Sequence, residues 1–125
     1  MKKNILTSFF IMIFSFIGNV MAIDKVEITV NQFVSHVALD AAYNGFIKGL
    51  EDRKILPAKA QIQFANAQGS IATSVQIAQK QASQKPGFMV AIATPAAQTL
   101  LKAKKEGSIL AFVAVTDPVG AGLVA

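Results

Sequence analysis

Between residues 26 and 115 the hydrophobic period of this chain switches repeatedly between two and about three and a half residues, and that alternation limits the folds open to it. Val26-Glu27-Ile28-Thr29-Val30 alternates apolar and polar side chains with a β-branched bias, which predicts a strand ending near Asn31. Leu39, Ala42, Phe46 and Leu50 then recur at helical spacing, predicting a helix over 37–52 that lays one face on a sheet. Gly45 and Gly49 lie inside it, and each costs about 1 kcal/mol relative to alanine. The expected return is a close approach of helix to sheet.

The pattern repeats twice more. Ala60 to Ala65 alternates as a second strand between Pro57 and the turn composition Asn66-Ala67-Gln68-Gly69. Ser70 caps a helix carrying Ile71, Val75, Ala78 and Ala82, and Pro86-Gly87 closes it. Phe88 to Ala93 is apolar without alternation, the pattern of a central parallel strand covered on both faces. Thr94 as N-cap with Pro95 at the first helical position starts a third helix, whose apolar spacing through Ala97, Leu100 and Leu101 continues to Gly107. Ile109 to Val115 is a fourth apolar strand, ended by Thr116-Asp117-Pro118. The order β-α-β-α-β-α-β calls for an α/β fold: three layers, Rossmann-like, with a mostly parallel sheet and helices on both faces.

At 125 residues one such domain is all the chain holds. Its 53% apolar content and aperiodic glycine and proline exclude a disordered or collagen-like chain. The absence of cysteine excludes disulfides, thiolate metal sites, a thiol nucleophile and a lipidated N-terminal cysteine. A mean hydropathy of +0.47 suggests a membrane protein until the apolar residues are located. Lys2 and Lys3 precede an apolar run from Ile5 to Ile17, followed by Gly18, Asn19 and the small-residue exit Val20-Met21-Ala22. Residues 1–22 therefore read as a cleavable secretory signal peptide, because a spanning helix needs about 20 predominantly apolar residues and Gly18-Asn19 weakens this one. An uncleaved anchor holding a membrane-tethered domain is the alternative.

Loss of Lys2 and Lys3 with the signal lowers the formal charge from +5 to +3. The remaining basic residues are scattered without aromatic interleaving, so nucleic acid is not an expected partner. Lys102, Lys104 and Lys105 are expected at a helix end, where cations complement the macrodipole. There is no Walker loop, no Gly-x-Gly-x-x-Gly, no Gly-x-Ser-x-Gly elbow and no His-Glu-x-x-His, and one histidine supplies no multi-histidine metal site. A hydrolase using His36 with Ser35 or Ser70 and Asp40 or Asp117 is arithmetically available, but no spacing supports it. The expectation is a protein that is not an enzyme and carries no cofactor or metal.

Ligands of open α/β sheets bind beyond the carboxyl ends of the strands. Four polar, turn-rich segments gather there: 31–36, 66–70, 94–97 and 116–119. Thr94 either caps its own helix or, with the free N–H groups that follow, binds a carboxylate. Asn66 and Gln68 either shape a turn or present amides to a ligand. Asp117 either caps the following segment or pairs with an ammonium group. His36 begins the first helix, facing the cleft or solvent.

The stretches His36-Val37-Ala38-Leu39-Asp40, Asn66-Ala67-Gln68-Gly69, Ala93-Thr94-Pro95-Ala96-Ala97-Gln98, Val115-Thr116-Asp117-Pro118-Val119 and Gly122-Leu123-Val124 fall in order over nearly all of the chain after residue 22. On them the sequence resembles the substrate-binding proteins of ABC importers, in the periplasmic-binding-protein-like group that includes tryptophan and tyrosine binders. The resemblance implies a two-lobed periplasmic protein that closes on an amino-acid-like small molecule and delivers it to an ABC permease in the inner membrane. It implies ligand contacts at Asn66, Gln68, Thr94, Ala96 and Asp117, with His36 nearby. Val37 replaces the proline expected after the histidine. Members of the group run to about twice this length or more, so residues 23–125 correspond to the N-terminal lobe, with the second lobe not supplied by this chain.

Overall fold

The computed structural model describes residues 24–125, so the expected signal peptide lies outside the described residues. Four strands, β1 (Val26–Gln32), β2 (Ala60–Asn66), β3 (Phe88–Ile92) and β4 (Ile109–Val113), alternate with three helices, α1 (Val37–Asp52), α2 (Ile71–Ser83) and α3 (Thr94–Ala103). All pairings are parallel, in the order β2-β1-β3-β4. The chain steps from β1 outward to β2, then back across β1 to β3 and on to β4. Right-handed crossovers in opposite directions put α1 on one face and α2 with α3 on the other. The expected α/β sheet with helices on both faces is thus the fold observed.

The two faces are filled unequally. On one, Met89, Ala91, Ala96, Ala97 and Leu100 are fully buried with Ala78 and Ala82 between the sheet, α2 and α3. On the other, Ile28, Val30, Ala60, Val90 and Ile92 meet Leu39, Tyr43, Phe46 and Leu50 of α1, and no residue of α1 is buried. Tyr43 lies against Phe64 with ring centroids 4.4 Å apart, and burial raises the pKa of its phenol. Beside α1 an apolar groove of about 280 Å³ runs over Ile28, Phe88, Val90 and Ala111. Ile109, two residues before Ala111 on β4, is 55% exposed. The alternation of exposed and half-buried residues along β4 follows from that open face.

Several local expectations are corrected. Gly45 and Gly49 do not bring α1 close to the sheet: a Cβ at Gly45 meets nothing within 4 Å, and one at Gly49 meets only the Arg53 side chain. The stripe of α2 is also displaced, because Ile71 and Val75 are exposed while Ser74 and Gln81 are buried. Hydrogen bonding makes that burial possible: Gln81 Nε2 donates to Val30 O at 3.0 Å. A relay also runs from Asn31 Nδ2 to Ser74 Oγ (3.2 Å), on to Thr99 Oγ1 (2.9 Å) and to Ala96 O (2.9 Å).

Helix α3 begins and ends differently from expectation. Its N-cap is Ala93, not Thr94, and no side chain caps it. It stops at Ala103, where Lys104 turns extended, so Lys104 and Lys105 lie beyond the helix and only Lys102 sits in its last turn. Strand β4 ends at Val113 because Ala114 adopts φ +57°.

Candidate functional site

The register brings the four strand ends level. Asn66 pairs with Gln32, Gln32 with Ile92, and Ile92 with Val113. The order of crossovers reverses between β1 and β3, so the crevice beyond those two ends is the switch point where open α/β sheets bind ligands. The segments that follow the four ends form the candidate site.

His36 is the N-cap of α1 and its Nδ1 accepts from the Ala38 N–H at 3.2 Å, which leaves Nε2 to carry the proton of the neutral ring. Among the described residues neither Ser35 nor an aspartate carboxylate hydrogen-bonds the His36 ring; Ser35 Oγ instead accepts from Asn66 Nδ2 at 3.0 Å. The arrangement needed for a histidine-activated serine is therefore not formed here.

Asn66 is half-buried and both its polar atoms are engaged. Besides Ser35, its Oδ1 accepts from the Gln68 N–H at 2.7 Å, closing an Asx turn. That turn places Gln68 at φ +53° and leaves it exposed. It is tied to the end of β1 by the Ala67 N–H donating to Gln32 O and to the residue after it by the Gly69 N–H donating to Phe33 O, each at 2.8 Å. Ser70 then caps α2 as expected, accepting from Thr73 N–H at 3.2 Å.

Thr94 opens α3 without capping it, so its hydroxyl is not committed to the helix start. Ahead of it Ala93 takes φ +84° and ψ +155°, a region occupied almost only by glycine. Both backbone groups of Ala93 are held, the N–H by Val113 O at 3.1 Å and the C=O by the Ala97 N–H at 3.1 Å. The strain should be measurable: Ala93→Gly is expected to raise unfolding free energy by about 1 kcal/mol, the relief of strain outweighing the greater freedom of the unfolded chain. Urea denaturation checks this, and a loss of stability would mean that Ala93 is not strained.

Ala96 has no exposed surface and packs in the α2/α3 core, so among the expected contacts it is the one that offers a ligand nothing in this structure. Asp117 is exposed and its Oδ1 accepts from Gly120 N–H at 2.9 Å, capping the turn 117–121. A Cβ at Gly120 would overlap this carboxylate. Gly120→Ala is accordingly expected to displace Asp117 and destabilise the turn by about 1 kcal/mol. A melt and an NMR spectrum unchanged outside residue 120 would contradict this.

The structure therefore brings His36 and Asn66 together through Ser35, and Asn66 together with Gln68 through one turn. Thr94 and Asp117 follow on the next strand ends, with no hydrogen bond to the first group among the described residues. The bond of Ser35 to Asn66, the strain at Ala93 and the close approach of Asp117 to Gly120 were not foreseen. Only Gly120 carries a local signal, as glycine three residues after an Asp-Pro turn start. The groove beside α1 is a different place: its lining is apolar apart from Lys59, with no convergent polar groups to orient a small polar ligand.

Residues 27–125 match the family model described as ABC transporter substrate binding protein. The chain belongs to the ABC transporter substrate-binding protein family. This is a family of binding proteins, not of enzymes. A tyrosine-binding protein of Clostridioides difficile (strain R20291) is 45% identical over 99 residues, which are 78% of this chain and 28% of that protein. A ligand-free, open substrate-binding protein with adhesive properties from Clostridium difficile superposes with a TM-score of 0.76 at 42% identity, over 79% of this chain and 34% of the other. An ABC domain in complex with L-Trp from Streptococcus pneumonia gives 0.76 at 36% identity, over 80% and 34%. The chain thus spans about a third or less of the length of these substrate-binding relatives.

Proposed function

We propose that this substrate-binding chain forms the N-terminal lobe, residues 23–125, of a two-lobed solute-binding component of an ABC import system that captures an aromatic amino acid in the periplasm. On this reading residues 1–22 are a cleaved signal peptide, and the loaded protein docks on an ABC permease of the inner membrane. Capture is noncovalent. Thr94, at the N-terminus of α3, receives the carboxylate, Asp117 the ammonium group, and Gln68, with the turn of Asn66 and the loop of His36, the remaining polar edge. The observation that supports this best is the level set of strand ends carrying these groups in a chain whose relatives include a tyrosine-binding protein and an L-Trp complex.

Calorimetric titration of the protein with L-tyrosine and L-tryptophan tests the reading. Saturable binding of either is expected, weakened at least about tenfold by Thr94→Val, which removes a hydroxyl at constant volume. No binding of any amino acid would overturn it. The N-terminal mass of the exported protein tests the signal peptide separately: a start at Ile23 is expected, and retention of Met1 would contradict cleavage.

A further inference from the structure

Gln32 closes β1 at the edge where the site lies, yet it is only 1% exposed. Its side chain is on the α1 face, and both of its N–H bonds are spent on one piece of structure. Nε2 donates to Val34 O at 2.9 Å and to Asp40 Oδ1 at 2.6 Å. Val34 lies inside the loop 33–36, and Asp40 lies one turn into α1, with its N–H donating to His36 O at 2.8 Å. The opposite amide orientation would set an oxygen against two acceptors, so the chemistry fixes the assignment. Gln32 Oε1 is meanwhile buried without a partner. For the sheet alone, an apolar side chain of like volume would serve at lower cost, because a buried unpaired acceptor is destabilising. What glutamine adds is the hold on the loop.

We propose that Gln32 and Asp40 form a latch that sets the loop carrying Ser35 and His36, and through Ser35 and Phe33 the turn of Asn66, Gln68 and Gly69. Gln32 is a positioning residue for the ligand site. This rests on the reading of that site given above. Titratable groups near the latch are few: β2 and β3, which flank Gln32, carry none, the loop contributes His36, the first two turns of α1 contribute Asp40 and Tyr43, and Asp117 lies beyond the outermost strand.

Two substitutions in the whole protein test the latch, read by amide exchange protection and by L-tyrosine titration. Gln32→Met removes both donor bonds and the unpaired acceptor at similar volume. Its melting temperature is expected to stay at or above that of the unaltered protein, while protection at Asp40 and Gly69 falls at least tenfold and Kd rises about tenfold. Gln32→Glu sets a second carboxyl against Asp40. It is expected to lose protection and affinity at pH 8 and recover both near pH 5, where the pair shares a proton, a recovery that Gln32→Met does not show.

Unchanged protection at Asp40 and Gly69 in Gln32→Met would overturn the latch, whatever the ligand result. So would a loss of protection spread evenly through α2 and α3, which is the mark of a purely structural residue, or a loss at the loop with Kd unaltered. Local loss of protection in a protein whose unaltered form binds no amino acid would uphold the latch and overturn the ligand reading instead.

Discussion

Residues 23–125 alone are expected to bind L-tyrosine at least about a hundredfold more weakly than the full-length Clostridioides difficile relative, a difference of about 2.7 kcal/mol or more. Pockets for small ligands bury most of the ligand surface. The candidate site is the edge of a single sheet: its polar groups come from the ends of four parallel strands, so all would lie on one side of a ligand. A protein that closes a second lobe over the ligand adds contacts from the opposite side and expels water, which strengthens every polar contact. This chain matches 28% of the relative, so those contacts are not among its described residues. Calorimetry on both proteins in one buffer decides it, and comparable affinities would show that one sheet edge is sufficient.

The second large effect is an asymmetry of the core. Leu100→Ala is expected to cost about 3 kcal/mol, whereas Leu50→Ala is expected to cost about 1 kcal/mol. Leu100 has no exposed surface and is enclosed by Met89, Ala96, Ala97 and the alanines of α2, so its truncation leaves a cavity with little means of collapse. Leu50 is half-buried on α1 and lines the open groove, so removing its methyl groups widens a space already reached by solvent. Against a net stability of about 5–15 kcal/mol for a domain of this size, the first change is severe and the second is tolerable. Urea denaturation of the two variants measures the difference. Equal costs would mean that the α1 face is as closed as the other.

Much of this was legible in the residues. The switches of period at Leu39, Ala60, Ile71, Phe88 and Ile109 are backbone-level signals, and each marks an element found within a residue or two of its expected place. Ser70 is a cap with a local mechanism, and it caps. Where expectation failed, the deciding contact is distant in sequence. Gly45 and Gly49 make no close approach to the sheet, because the side of α1 that meets it is set by Leu39, Tyr43, Phe46 and Leu50. Ser74 is buried because Asn31, 43 positions away, donates to it. Ala93 takes a glycine-like conformation because Val113 and Ala97 hold its backbone from two other elements, which no alanine announces.

The candidate site divides along the same line. Asn66, Gln68 and Asp117 are turn-forming types at strand ends, and their placement followed from composition and period. Whether their polar atoms are spent internally did not: Asn66 is committed to Ser35 and Gln68, and one Asp117 oxygen to Gly120. Ala96 stood among the expected contacts by position along the chain, and α3 turns it into the core. The unequal cover of the two faces was equally hidden, since the apolar run Ile109 to Val113 has the same composition whether one face or both are covered.

On the proposed function, the carboxyl edge of this sheet recognises an aromatic amino acid. An NMR titration of 15N-labelled residues 23–125 with L-tyrosine, carried to millimolar concentration, tests it most directly. Saturable shifts confined to 34–36, 66–69, 93–97 and 116–120 are expected, with the opposite edge of the sheet and the groove beside α1 unmoved. Shifts centred instead on Phe46, Leu50 and Ala111 of that groove, or no saturable shift at all, would contradict it.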